Sequence, residues 1–289
     1  MDLSIILVNY NTCQLTLQAL DAVFQSNTTY QYEVILVDNH STDGSAEQIA
    51  QPFPQVRLIR NSANLGFSKA NNQAIRSASG RYILLLNTDT VIEPDTLQLM
   101  IDFMDKHENV GASGCKILLP DGSLDETAKR GFPTPSASLY YVLGLSKLFP
   151  YVPKFNKYKL NYLDPDHMHE VDSLVGAFMM VRSEAIAQVG MMDEAFFMYG
   201  EDIDWCYRIK MSGWNIVYTP ITTILHYKGA SSRKQSVKLI YEFHRAMVLF
   251  YKKHYVKKYP LIVSMLVYSA IFAKMVLALL LNMLRKKAA

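Results

Sequence analysis

The chain has 289 residues, half of them hydrophobic and 19% charged, with a formal net charge of +3. That composition suffices for a packed core and excludes general disorder, and so small a charge gives no case for nucleic acid as a partner. The three cysteines, Cys13, Cys115 and Cys206, are odd in number and lack metal-ligand spacing, which reads as a reduced, cytosolic chain without a disulfide framework.

Met1-Asp2-Leu3-Ser4-Ile5-Ile6 has no basic n-region or cleavage site, so the start is read as a first strand. Leu3 to Val8 is a continuous apolar run, suited to a strand buried on both faces, and Thr12 to Gln25 has helical spacing through Leu15, Leu17, Leu20, Val23 and Phe24. Glu33 to Val37, Val56 to Ile59 and Tyr82 to Leu86 are further strands, and helices are expected over Ser41 to Ala50 and Gly66 to Ser79. This alternation predicts a parallel sheet with helices on both faces. Beyond it come a helix from Pro94 to His107, strand structure in Val110 to Leu119 and a turn at Asp121-Gly122. Prolines and scattered tyrosines from Gly131 to His169 predict a variable loop or insertion. A strand over Leu174 to Val181, helices over Ser183 to Val189 and Glu201 to Ser212, and a late strand over Trp214 to Tyr218 complete the pattern.

Polar residues gather where strands end: Asn9, Asp38-Asn39 and Asn87-Thr88-Asp89. Ligands of open α/β sheets sit outside the carboxyl ends of the strands, so these residues predict one polar crevice. It is not a dinucleotide site of the glycine-loop type, because Asn9-Tyr10-Asn11-Thr12-Cys13 contains no glycine, and there is no lysine-bearing phosphate loop either. Asp38 could accept from a nucleobase imide N–H, while Asp43 reads as a turn or cap residue. Asp89 at a strand end could share Mg2+ or Mn2+ with diphosphate oxygens, and His226, after a late apolar stretch, is a candidate second ligand. The densest feature is Gly200-Glu201-Asp202-Ile203-Asp204-Trp205. Acidic groups this close repel one another. The pattern makes sense either as a first helical turn complementing the dipole or as a proton acceptor with neighbours that fix its site.

Val8-Asn9-Tyr10-Asn11, Val37-Asp38-Asn39-x-Ser41-x-Asp43-Gly44-Ser45, Asn64-x-Gly66-Phe67-x-x-x-Asn71-Asn72, Leu84-Leu85-Leu86-Asn87-x-Asp89 and Gly200-Glu201-Asp202-x-Asp204 occur in order, with Gly176-Ala177-Phe178-Met179-Met180 before the last. Together they resemble the family 2 inverting glycosyltransferases, in particular the bacterial rhamnosyltransferase-like branch that builds surface polysaccharides. The resemblance runs over roughly residues 3 to 232. It implies a GT-A fold, a Rossmann-like, mostly parallel α/β sheet flanked by helices. Residues 1–232 would form the transferase domain and 233–289 a basic, apolar helical tail.

The resemblance also implies roles. Asn9, Asp38 and Asn39 would contact the base and ribose of a nucleoside-diphosphate sugar, dTDP-rhamnose or a UDP-sugar, with Asn64 and Asn71 lining or supporting that pocket. Asn87 stands where the family's metal motif has its first acid and would hydrogen-bond ribose or sugar. Asp89 would hold Mg2+ or Mn2+ with the diphosphate and His226. Asp202 would be the catalytic base, and Glu201 or Asp204 would orient acceptor hydroxyls, unless Asp204 only caps its helix. A sugar-phosphate nucleotidyltransferase would need a glycine-rich basic loop after the first strand, which is missing; a non-catalytic relative would not need Asp38, Asp89 and Asp202 together.

Lys252, Lys253, Lys257 and Lys258 precede the apolar stretch Leu261 to Leu284, and Arg285, Lys286 and Lys287 follow it. As a helix that stretch would be about 36 Å long, enough to cross a bilayer. Lys274 near its middle costs about 3 kcal/mol on insertion, which favours a helix or hairpin lying on an anionic membrane surface, with a true span or a buried helix as alternatives. Such a tail fits a polyprenyl-diphosphate-linked glycan acceptor and a place at the cytoplasmic face of the bacterial inner membrane.

Overall fold

The structure, a computed structural model, describes residues 1–228 and 237–288. The elements in chain order are β1 (Leu3–Asn9), α1 (Cys13–Phe24), β2 (Tyr32–Asp38), α2 (Ser45–Ala50), β3 (Arg57–Arg60), α3 (Phe67–Ile75), β4 (Tyr82–Leu86), β5 (Thr90–Ile92), α4 (Thr96–Lys106), β6 (Val110–Leu118), α5 (Pro135–Val142), α6 (Leu145–Leu148), β7 (His169–Glu170), β8 (Phe178–Arg182), α7 (Ser183–Val189), α8 (Glu201–Met211), β9 (Asn215–His226), α9 (Val237–His254) and α10 (Leu261–Ala288).

Among the described residues the strands form one sheet in the order β3-β2-β1-β4-β8-β6-β9-β5, with β7 beside β9. The apolar runs of β1, β2 and β4 pair in parallel, Ile6 opposite both Ile35 and Leu85, and are buried on both faces as their composition predicts. The chain lays β2 and β3 on one side of β1 and then crosses to β4 on the other. The reversal leaves a crevice at the carboxyl ends of β1 and β4.

Beyond β4 the sheet becomes mixed. β8 runs antiparallel to β4, with Phe178 opposite Leu86, so the residues entering β8 lie where β4 ends. This pairing brings Gly176 and Ala177 to the crevice, and the amide of Asn87 donates to the Ala177 carbonyl at 3.0 Å. β9 is one long strand that runs on to His226, well past the Trp214 to Tyr218 strand expected from the sequence. Its pairing with β6 slips between Cys115 opposite Thr219 and Lys116 opposite Thr223. Pro220 lies in that slip, where a residue without an N–H cannot continue the ladder. The far end of β9 pairs antiparallel with β5, Thr90 opposite His226, a contact invisible in the local pattern. The Gly131–His169 region, expected to be loop, contains α5 and α6. The three cysteines are free and buried.

Gly66 is sterically required beside the crevice. Gly66 has φ of +86°, and a Cβ there would lie 2.5 Å from the Phe197 carbonyl oxygen, the acceptor of the Phe67 amide. Gly66→Ala is expected to lower stability by about 1–3 kcal/mol. An unchanged urea midpoint would show that the loop moves aside freely.

The boundary expected at residue 232 lies outside the described residues. On its far side α9 packs into the main core through Ala246, Phe250 and Tyr251. α10 is different. It contacts α9 at Tyr251, whose hydroxyl lies 3.0 Å from Ser264 Oγ, and near Tyr268. Yet Leu261, Leu266, Phe272, Leu277 and Leu284 are all exposed. Leu261–Leu284 is long and apolar enough to cross a membrane, and the alternative of a helix buried within this chain does not occur.

Candidate active site

The crevice is built first from side chains that hold one another. Asn9, at the end of β1, is 0% exposed. Its amide nitrogen donates to Asp38 Oδ1 at 2.7 Å and Ser41 Oγ at 2.9 Å, and its oxygen accepts from Thr12 and Thr16 at 2.8 and 2.9 Å. Both hydrogens and both lone pairs are used, so the side chain of Asn9, expected at the base, is spent within the protein and braces Asp38. Asp38 Oδ2 accepts from the Ser41 amide at 3.1 Å, which fixes the carboxylate at the crevice wall.

Asn39 is also spent internally. It donates to Asn64 Oδ1 and the Gly66 carbonyl and accepts from Asn61 and the Leu65 amide. It therefore shapes the 61–66 loop rather than reaching a ligand. Asn64 oxygen also accepts from the Gly66 amide at 2.9 Å. Asn71 is buried and donates to the Phe67 carbonyl one turn back in α3, a support of the loop and not part of its lining. Asn9→Ala is expected to lower stability by about 1–3 kcal/mol through the groups left unpaired and to weaken nucleotide binding with it. Unchanged nucleotide affinity in a titration would remove its positioning role.

At the end of β4, Asn87 is half-buried and Asp89 buried. The β5–β9 pairing sets His226 Nε2 3.3 Å from Asp89 Oδ1, while His226 Nδ1 lies 3.1 Å from Asp125 Oδ2. Asp125 is fully buried and also accepts from Lys228 at 2.8 Å. Burial would lower the histidine pKa, but the hydrogen bonds to Asp125 and Asp89 outweigh it and raise it to about 9. Burial likewise would raise Asp125, and the bonds from His226, Lys228 and Thr127 instead hold it below the usual carboxylate range.

A carboxylate and an imidazole whose second nitrogen is oriented by another carboxylate are a fitting partial shell for Mn2+ or Mg2+. Among the described residues no cluster of three or more free donors could close such a shell alone, so substrate oxygens would have to complete it.

The acidic cluster separates into three fates. Asp202, 7% exposed, directs Oδ2 to Arg130 at 2.6 Å and to the Gly176 amide at 3.4 Å, while Oδ1 accepts from the Ile203 amide at 2.8 Å. Ala177, the neighbour of Gly176, is bonded to Asn87, so this carboxylate stands on the crevice beside the β4 end. Burial of Arg130 opposes its charge, but the Asp202 carboxylate more than offsets this and raises the guanidinium pKa. Arg130 also donates to the Leu174 carbonyl at 2.7 Å. Glu201 is buried with Oε2 unpartnered, and burial plus the neighbouring Asp202 charge push its pKa well up. Asp204 is 0% exposed and points the other way, accepting from Arg208 at 2.9 Å, Lys253 at 3.0 Å and His254 at 2.7 Å. Asp204, expected either to orient an acceptor or to cap its helix, is buried with both oxygens taken by Arg208, Lys253 and His254.

Residues 4–188 match the family model described as "Glycosyl transferase family 2". The chain belongs to that family. The transferase is 31% identical to the N-acetylglucosaminyl-diphospho-decaprenol L-rhamnosyltransferase of Mycobacterium tuberculosis, over 75% of this chain and 73% of that one. It is 29% identical to rhamnosyltransferase WbbL of Escherichia coli, over 70% of this chain and 75% of the relative. Among solved structures, Staphylococcus aureus TarS matches with a TM-score of 0.60 at 17% identity, covering 88% of this chain and 39% of TarS. The Pyrobaculum calidifontis mannosyltransferase PcManGT, solved with GDP-Man and Mn2+, matches with a TM-score of 0.58 at 19% identity, covering 87% of this chain and 63% of that one. These last two likenesses establish the GT-A fold of the transferase.

Arg130, Asp125 and Lys228 escaped sequence reading. Arg130 reaches Asp202 across 72 positions, and no local pattern announces such a pair.

Proposed function

We propose that this family 2 transferase moves rhamnose, with inversion, from a dTDP or UDP donor to a hydroxyl of a polyprenyl-diphosphate-linked glycan. The named relatives support the sugar and the lipid carrier: one acts on an N-acetylglucosaminyl-diphospho-decaprenol and both are rhamnosyltransferases. The observation that carries the reading is Asp202, held by Arg130 and Gly176 at the same strand ends that present Asp89 and His226.

Asp38 and Asn64 line the nucleotide side, with Asn9 and Asn39 as their supports. Asn87 meets ribose or sugar. Asp89 and His226 Nε2 would hold a divalent ion, the imidazole nitrogen releasing its proton on ligation. That ion, when bound, neutralises charge on the departing diphosphate. Asp202 takes the proton of the acceptor hydroxyl as its oxygen attacks the anomeric carbon from the face opposite the diphosphate. Arg130 keeps the carboxylate placed, and Glu201 stands beside it with its pKa pushed up by burial and by the Asp202 charge, which lessens repulsion between the two groups.

Residues 1–232 would carry the chemistry and 233–289 the attachment, with α9 clamped to the transferase core and α10 seated in lipid at the cytoplasmic face of the inner membrane. A thermal-shift screen of nucleoside diphosphates and nucleotide sugars tests the donor site. At a hundredfold excess over Kd, a true ligand adds about 2.7 kcal/mol of stability. The expected result is stabilisation by dTDP or UDP compounds that needs Mn2+ or Mg2+ and disappears with EDTA. Stabilisation unaffected by EDTA would remove Asp89 and His226 from metal binding. No response to any nucleotide would overturn the donor reading.

A further inference from the structure

The region between Arg130 and His169 takes no part in the chemistry above, yet it is well built. The Phe155 ring packs against Phe149 and Tyr140 at 5.5 and 5.2 Å. Asn156 donates to the Phe149 carbonyl at 2.6 Å, Ser146 Oγ to the Phe155 carbonyl at 2.9 Å, and the buried Lys129 to the carbonyls of Leu160 and Leu163. This small internal core fixes α5 and α6, so their outward side chains are exposed by construction. Leu139, Val142, Leu143, Leu148 and Tyr151 are 54%, 66%, 62%, 70% and 77% exposed. Five large apolar side chains exposed within thirteen residues mark a candidate interaction surface.

Charge indicates the partner. No acidic residue occurs between Glu126 and Asp164, whereas Lys147, Lys154, Lys157 and Lys159 do. Of these, Lys159 is paired with Glu126. Lys147 and Lys154 are exposed among the apolar side chains. Apolar residues mixed with lysine and tyrosine, without a carboxylate, suit an anionic lipid surface.

Position agrees with this. Phe132, just before α5, packs 4.9 Å from the Tyr207 ring, which in turn meets Phe250 at 5.8 Å and Tyr255 at 6.1 Å. Lys258 donates to the Tyr207 hydroxyl. The root of the α5–α6 segment thus abuts the turn from which α10 departs, and Arg130 at that same root holds Asp202.

We infer that α5–α6 is a second bilayer contact, docking on anionic headgroups beside α10, so that the catalytic carboxylate lies between two lipid-facing elements. The inference rests on the reading of α10 as a lipid seat only for the side of the molecule that faces the bilayer.

Because the native cysteines are all buried, Leu148→Cys can carry a single environment-sensitive NBD label, with the exposed Gln51→Cys as control. The full chain is mixed with vesicles of phosphatidylcholine alone or with added phosphatidylglycerol, and flotation is scored on the same samples. The expected result is a blue-shifted emission, quenched by lipid-borne nitroxide, at position 148 and not at 51, on the anionic vesicles. Lys147→Gln with Lys154→Gln is expected to weaken this response about thirtyfold in lipid titration. A chain that floats while the 148 label stays wet overturns this inference and leaves the α10 seat standing; a chain that does not float overturns both. An equal response on neutral vesicles overturns the anionic preference. A response without lipid, accompanied by dimerisation in light scattering, identifies a second copy of the chain as the occupant and overturns the lipid assignment.

Discussion

Asp202→Asn is expected to lower kcat for sugar transfer by a factor on the order of 10^2 to 10^4, the usual contribution of a positioned general base, while nucleotide affinity stays close to that of the parent. Asparagine keeps an oxygen for the Arg130 and Gly176 donors, which approach the same Oδ2 atom in the parent. The Arg130 and Gly176 contacts can therefore persist, while Nδ2 replaces the oxygen that accepts from the Ile203 amide and the buried ion pair loses its anion, so some loss of stability is expected and is read separately by a urea midpoint. Alanine would be a poorer probe. It leaves the Arg130 guanidinium buried without a partner, a situation that costs about 3–5 kcal/mol, and would confuse a folding defect with a chemical one. Nucleotide titration alongside initial-rate measurements separates the outcomes. Parallel loss of binding and turnover in the Asn variant would make Asp202 a structural residue and would take the mechanism with it.

Asp204→Asn is expected to act on stability instead. The parent carboxylate is fully buried and shared among Arg208, Lys253 and His254, the last two on α9. Removing its charge takes the anion away from the part-buried Arg208 and the more exposed Lys253, and a loss of about 1–3 kcal/mol is expected, measured as a lower urea midpoint. A pH dependence accompanies it. Burial would raise the Asp204 pKa, but the bonds from His254 and Lys253 and the Arg208 charge outweigh this and lower it from the ordinary 3.8. A depressed carboxylate pKa means that the folded state binds its proton less readily than the unfolded chain does. The contribution is thus fully present above about pH 4 and lost as pH falls through the lower, folded value. The parent should show a steeper acid-side loss of stability than the Asn variant. Matching acid transitions would exclude Asp204 as the source.

The fold was legible where local physics dominates. The apolar runs of β1, β2 and β4, and the polar residues at their ends, follow from burial on two faces of a parallel sheet, and the sequence places them correctly. What escaped reading depends on contacts distant in sequence. The sequence shows only the first part of β9, Trp214 to Tyr218, because Pro220 interrupts the pattern that the β6 pairing bridges. Asp125 and Arg130 lie in an otherwise unremarkable stretch and become meaningful only when β9 and α8 arrive.

The site shows the same division. Asp202 is singled out by its place in the motif that carries the family resemblance, and Asp38, Asp89 and His226 by residue type and strand position. Asn9 and Asn39 were chosen by the same logic, but hydrogen-bond saturation makes them scaffolding, and no single-residue cue distinguishes a saturated asparagine from a free one. Asp204 shows a further limit: two positions along a helix from Asp202, it turns to a different face, which the acidic run itself does not reveal.

That half-turn of α8 has a mechanical meaning. One side of it carries Asp202, the proposed proton acceptor, and the other is bolted to α9, which leads directly into α10. With α10 in lipid as proposed, no slack tether separates the reactive centre from the bilayer, so its height is a rigid dimension of the protein. Such an enzyme would act as a ruler, adding sugar only where a glycan hydroxyl stands at that fixed elevation above its anchor.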